Sequence, residues 1–164
     1  MNKKSMFPKG ANVEFKIENY LENNIMLIEP ELKLIARQYK VYYKRIQYIG
    51  AIDLFCQGED GAQVVVELKS RELTSRDLGQ IMAYYAVCKK RAETHKLPPP
   101  RAYCIGLSVG PQYKMGLTLL NDNIDLKTYT YSITQGTILS DKEFVVELHN
   151  YDPEEEGIFH ISLK

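Results

Sequence analysis

The run YIGAIDLFCQ-GEDGA-QVVVELKS, residues 48–70, constrains this chain more than any other. Two apolar stretches flank a connector with two glycines and an Asp-Gly step, a strong hairpin signal. Residues 48–57 and 63–70 are therefore expected to be neighbouring strands. Charged residues interrupt their apolar texture. Side chains alternate along a strand, so Val65, Glu67 and Lys69 share one face and Val64, Val66 and Leu68 the other. Asp53, between Ile52 and Leu54, is expected to point away from both. Folding at the connector would then bring Asp53 and Glu67 together, with Lys69 beside them. Isolated buried charges are costly unless paired or bound to a metal. Two carboxylates and a lysine suit metal-assisted hydrolysis of a phosphodiester. Hard oxygen ligands favour Mg²⁺, with Mn²⁺ able to substitute, and the ammonium group can place water or offset developing charge. On spacing alone, an exposed strand face with an ordinary Glu–Lys pair fits equally well.

The rest of the chain supplies an α/β frame. Val13, Ile17, Tyr20, Leu21 and Asn24 fall at helical spacing after a possible cap at Asn12. Beyond Pro30, residues 32–43 (LKLIARQYKVYY) read as a strand. Thr74 or Ser75 can cap a helix that carries Asp77 in its first turn and a stripe of Leu78, Ile81, Met82, Tyr85 and Cys88. That helix is expected to run to about Thr94, ahead of LPPP (97–100). Residues 102–110 read as a buried strand, 111–122 as a helix opened by proline, and 124–133 as a strand. Further strands are expected at 143–150 and 157–164, split by an acidic turn at Glu154–Glu156. This order implies crossovers, a mixed sheet and helices on both faces. On the helix after Lys69, Gln80 and Tyr84 lie four apart and share a face. They either meet the same site or face solvent.

The segments G-A-I-D-L (50–54), V-V-V-E-L-K (64–69) and G-Q-I-M-A-Y-Y (79–85) resemble the PD-(D/E)xK nuclease superfamily. The wider run, including 21–39 and 101–120, resembles more specifically the catalytic domain of NucS/EndoMS endonucleases. The resemblance spans about residues 12–132 and implies a restriction-endonuclease-like core that cuts DNA with Mg²⁺. It implies that Asp53 and Glu67 hold the metal, that Lys69 is the catalytic lysine, and that Gln80 and Tyr84 are the helix-motif pair. The family's first helix adds a glutamate. Here the ungapped register puts Lys16 at that place, between Glu14 and Glu18, either of which could serve. The proline of the superfamily's name is replaced, since Ala51 and Ile52 precede Asp53. NucS-type enzymes resemble a two-domain design, whereas about a dozen residues precede the core in this sequence. Mismatch specificity that depends on the other half is therefore not carried over. The expected layout is an arm at 1–11, the nuclease core at 12–132, and a β extension of the same domain at 133–164.

Among the 164 residues, 21 are Lys or Arg and 21 are Asp or Glu, so a nucleic-acid partner must be argued from local clusters. Arg71 and Arg76 flank Lys69, and Lys44 and Arg45 follow the first strand; all four are candidate phosphate contacts. Lys89, Lys90 and Arg91 more simply form a solvated helix face. Tyr39, Tyr42, Tyr43 and Tyr48 could stack on bases or pack a strand. Three cysteines without paired spacing argue against a disulfide framework and for a reducing, intracellular setting. No signal-peptide pattern or membrane-length apolar run occurs. DNA is the expected partner, with RNA left open and a homodimer a natural way to cut both strands. Two other readings stand beside this one: an idle nucleic-acid- or protein-binding module of the same fold, and a junction-resolvase, restriction or homing-type nuclease.

Overall fold

A computed structural model describes residues 13–120, 123–136 and 144–153. The expected N-terminal arm, the Asn12 cap, the 157–164 strand and the acidic turn at 154–156 lie outside them. Val13, Ile17 and Leu21 recur every four residues and so line one side of a helix. Helix α1, Val13–Asn23, buries all three. Burying an aliphatic side chain of this size is worth roughly 1.5–3 kcal/mol, so α1 is held by this stripe more than by helix propensity.

The β-branched and aromatic stretches form strands β1 (Lys33–Tyr43), β2 (Gln47–Gln57) and β3 (Gln63–Leu68). Next come a short strand β4 (Glu72–Leu73) and helix α2 (Ser75–His95). They are followed by β5 (Arg101–Gly106), β6 (Ser108–Val109), α3 (Pro111–Leu120), β7 (Leu126–Gln135) and β8 (Val145–Tyr151). Among the described residues, six strands make one sheet in the order β1-β2-β3-β5-β7-β8. Strands β3, β5 and β7 run parallel, while β1, β2 and β8 add antiparallel pairs at the edges. Helices α2 and α3 are the crossovers that parallel pairing requires. With α1 on the opposite face they bury β3 along its whole length.

The core lies in two layers. On one face Val13, Ile17 and Leu21 of α1 join the group containing Leu54, Val64, Val66 and Leu68. On the other, Leu78, Ile81, Tyr84 and Tyr85 of α2 and Tyr113 and Leu117 of α3 join Phe55, Val65 and Cys104. The mixed sheet, the hairpin at Gly58–Ala62 and the arrest of α2 ahead of LPPP match the sequence reading. One expected strand divides. The run 102–110 breaks at Leu107, whose N–H donates to the Arg71 carbonyl at 3.0 Å, and β6 leaves to pair in parallel with β4. Packing gives the reason: a Cβ on Gly106 would strike the Leu73 side chain, so β4 lies directly over the end of β5. No helix among the described residues is long and apolar enough to cross a membrane.

Candidate active site

Strands β2 and β3 are paired from Gln57–Gln63 to Leu54–Val66. The next pair in this register would be Asp53 with Glu67, and there side chains replace the backbone ladder. The Asp53 N–H donates to Glu67 Oε1 at 3.3 Å, and the Leu68 N–H donates to Asp53 Oδ2 at 2.8 Å. Buried backbone donors must find acceptors, and here the two carboxylates serve where the strands part. Asp53 and Glu67 are thus brought together as expected, but not by simple alternation. Ile52 and Leu54 fall in opposite core layers, so Asp53 does not point away from both. The alternation fails at the residue where β2 leaves the β3 ladder.

Burial sets the electrostatics. Glu67 is 1% exposed and Asp53 7%. Desolvation, reinforced by the neighbouring Asp53 charge, pushes the Glu67 carboxyl up to about 8. Lys69 Nζ lies 3.4 Å from Glu67 Oε2. Burial alone would lower the lysine, but Glu67, Asp53 and Glu14 outweigh it and raise its pKa, so it stays a cation. The Lys69 N–H donates to the Ile105 carbonyl at 2.8 Å, which anchors its backbone to β5.

Helix α1 carries both candidate glutamates to this place. Glu14 accepts from the Ser70 N–H at 3.1 Å, and its carboxyl is raised by burial and further by Asp53. Glu18 is buried and bound to Arg37 Nε at 2.8 Å and to Gln38 Nε2 at 3.1 Å. The same Gln38 amide donates to Asp53 Oδ1 at 3.0 Å. Arg37 also reaches Glu22 at 2.7 Å. Glu18 is therefore already neutralised by a guanidinium, whereas Glu14 faces the lysine side of the site.

The helix-motif pair meets the site through a glycine. Gln80 Nε2 donates to the Tyr84 hydroxyl at 2.9 Å, and Tyr84 is buried. Gly50 has φ +147°, and a Cβ there would run into the Tyr84 hydroxyl. Burial raises the Tyr84 phenol, and Glu67 and Asp53 add to the rise. Two residues here escaped the sequence reading. Gly50 had a usable signal, because an isolated glycine inside a strand pattern often marks close approach of another group. Gln38 had none. It sits in β1 with φ +48°, a left-handed conformation that an L-residue adopts only at a cost.

The basic candidates separate. Arg71 forms a two-pronged pair with Asp77, at 2.7 and 2.9 Å, and Asp77 in turn accepts from the Thr74 N–H at 2.8 Å. Arg71 thus secures the start of α2 while staying about half exposed. Arg76 is exposed on the first turn of α2, and Lys89, Lys90 and Arg91 are exposed near its end. Lys44 and Arg45 occupy the tip of the β1–β2 hairpin, both with positive φ. Tyr39 stacks on Phe55 at 4.6 Å between ring centres. All three cysteines are free and buried.

Among the described residues, no group of three His, Cys, Asp or Glu side chains forms a ready-made metal cage. The donor set present is two adjoining buried carboxyl groups, that of Glu67 pushed up by burial and by the neighbouring Asp53. That suits a hard cation such as Mg²⁺, which characteristically takes one or two protein carboxylates and fills its shell with water and substrate phosphate.

The mixed six-stranded sheet and three flanking helices of the described residues make a restriction-endonuclease-like fold, and the acidic pair with its lysine sits where β2 and β3 part. Residues 13–130 match the model of the endonuclease NucS C-terminal domain, and the chain belongs to that family. Its fold is shared with a repair endonuclease from Pyrococcus abyssi, with TM-score 0.56 and 24% identity over 70% of this chain and 45% of that one. An EndoMS structure in complex with double-stranded DNA gives TM-score 0.56 at 19% identity, covering 78% and 48%. EndoMS in its apo form gives 0.52 at 19%, covering 69% and 44%. The chain spans less than half the length of each of these structures. No curated protein matches it.

Proposed function

We propose that this chain is a Mg²⁺-dependent endonuclease unit that hydrolyses DNA phosphodiesters. The observation that carries the reading is the meeting of Asp53, Glu67 and Lys69 at the parting of β2 and β3, in a member of a nuclease family. Asp53 and Glu67 would hold the ion. When bound there, Mg²⁺ (or Mn²⁺) supplies Lewis acidity towards a phosphate oxygen and lowers the pKa of water. To hold the ion, Glu67 would have to release the proton that burial and the Asp53 charge favour. Lys69, whose pKa the acidic groups around it raise, offers a fixed positive charge for the attacked phosphate or for orienting water. Gln80 and Tyr84 brace β2 at Gly50 and so fix the Asp53 end of the pair. Charge balance favours Glu14 over Glu18 as the added carboxylate, because Arg37 already satisfies Glu18. Arg76 is the candidate phosphate contact nearest the start of α2. Cutting both strands would need two copies of the site, which a homodimer supplies.

The test is incubation with supercoiled plasmid, single strands and branched DNA, with Mg²⁺, with Mn²⁺ and with chelator. Cleavage that needs the ion and is lost in Lys69→Ala, with DNA binding kept, is the expected result. Full activity in Lys69→Ala would remove the lysine from the chemistry. Metal-independent binding without cleavage of any substrate would identify an idle binding module instead.

A further inference from the structure

The β1–β2 hairpin outruns the sheet. The β2–β3 ladder stops at Leu54–Val66, but β1 and β2 stay paired as far as Tyr43–Gln47. From Asp53 to Gln47 the strand advances about 20 Å at ~3.3 Å per residue. Val41 still belongs to the core layer under α2 and Gly50 abuts Tyr84, so the two-stranded arm leaves the body of the domain beyond them, at Tyr42–Tyr48. Burial falls away along β2: Ile52 to Cys56 are buried, Ile49 to Ala51 half-buried, and every residue from Tyr42 to Tyr48 exposed.

The composition of the arm differs from that of an ordinary hairpin tip. Ile46 is 85% exposed, Tyr48 56% and Tyr43 51%. Tyr42 and Tyr48 meet edge to face at 5.7 Å, and the Lys44 ammonium lies 5.2 Å from the centre of the Tyr43 ring. Between Leu32 and Ile52 the sequence holds Lys33, Arg37, Lys40, Lys44 and Arg45 and no carboxylate. Arg37 is spent on Glu18 and Glu22, so Lys40, Lys44 and Arg45 set the charge of the outer arm. In a chain of zero net charge this is a local positive field bearing aromatic rings. The tip also bears strain, since Lys44 (φ +48°) and Arg45 (φ +66°) fill consecutive left-handed positions that usually go to Gly or Asn. The turn thus presents two long cations where small residues would be easier to fold.

We propose that this arm is a DNA-holding element, separate from the cutting residues, that grips the substrate alongside the site. Lys40, Lys44 and Arg45 take phosphates, and Tyr43, Tyr48 and Ile46 supply apolar contact to sugar and base faces. The proposal rests on the nucleic-acid reading of the site. Charge selects DNA over a second copy of the chain, because two such arms would repel each other. The reach of about 20 Å equals about six base steps at ~3.4 Å each, so the grip falls well away from the scissile bond.

The test compares the wild-type chain with Lys40→Ala/Lys44→Ala/Arg45→Ala and with Tyr43→Ala/Tyr48→Ala. Binding to a labelled duplex is measured by anisotropy in chelator across a salt series. Plasmid cleavage in Mg²⁺ and mass by light scattering are measured beside it. Removing the cations is expected to weaken binding and to flatten the salt dependence, by about 0.9 in log–log slope for each phosphate no longer neutralised. Removing the two tyrosines is expected to loosen binding by roughly tenfold or more with the slope kept. Unchanged affinity and slope in both variants would overturn the proposal, as would a wild type that binds no DNA. A wild-type dimer that the substitutions turn to monomer, with binding per chain unaltered, would also overturn it by making the arm an interface between copies. A wild type that binds through the arm yet cuts nothing would support the arm and sink the hydrolytic reading.

Discussion

Glu67→Gln is the perturbation whose outcome follows most directly from the geometry. In the metal-free protein the Glu67 carboxyl titrates near 8, because it is buried against Asp53, while its unfolded value is 4.5. The folded state therefore holds a proton that the unfolded chain releases. Stability is full below the unfolded value, falls as pH rises between the two, and reaches its floor above the folded one. One pK unit corresponds to about 1.4 kcal/mol, which sets an upper limit of roughly 5 kcal/mol. Relaxation and water entry around a buried charge reduce this to a few kcal/mol. Glutamine keeps an acceptor for the Asp53 N–H and cannot ionise. Denaturant unfolding in chelator at pH about 5 and about 9, on wild type and variant, reads the effect. The other ionisable groups are common to both proteins and cancel in the difference. The variant is expected to lose less stability than the wild type by a few kcal/mol as pH rises, and to overtake it at the alkaline end. Millimolar Mg²⁺ should then stabilise the wild type at alkaline pH and leave the variant unmoved. Parallel pH profiles would refute the reasoning, because they would mean Glu67 is not a desolvated acid crowded by another.

Gly50→Ala places a methyl against the Tyr84 hydroxyl at φ +147° and should cost about 1–3 kcal/mol, seen as a lowered thermal midpoint. Gln38→Gly and Gln38→Ala both delete the amide shared by Glu18 and Asp53, but only glycine relieves the left-handed strain. In equilibrium unfolding the glycine variant should be more stable than the alanine variant by about 1 kcal/mol. Asp77 responds to acid. Burial would raise its carboxyl, but bonds from Arg71 and Thr74 outweigh that and hold it below its ordinary value of 3.8. Its contribution is present above that value and is lost as pH falls through the lower folded one. Asp77→Asn should cost about 1 kcal/mol near neutrality and flatten the acid limb of the stability curve.

Periodicity and turn chemistry carried the architecture. The stripe at Val13, Ile17 and Leu21 made α1, Gly58–Ala62 turned the chain, and LPPP ended α2. Each is a local rule acting within a few residues, so each is readable along the chain. The acidic pair and its lysine were legible for the same reason, since a hairpin couples residues fourteen apart through one turn. What the sequence could not determine depends on how distant segments meet. Nothing in the order of residues says that Glu18 is neutralised by Arg37, that Gln38 ties Glu18 to Asp53, or that Arg71 is bound to Asp77. Nor does it say that the alternation of β2 fails at Asp53 because the β3 ladder has ended there. Those outcomes follow from how α1, β1 and α2 close around the end of β3. Only a folded interior removes enough water to push the Glu67 carboxyl up beside the charge of Asp53.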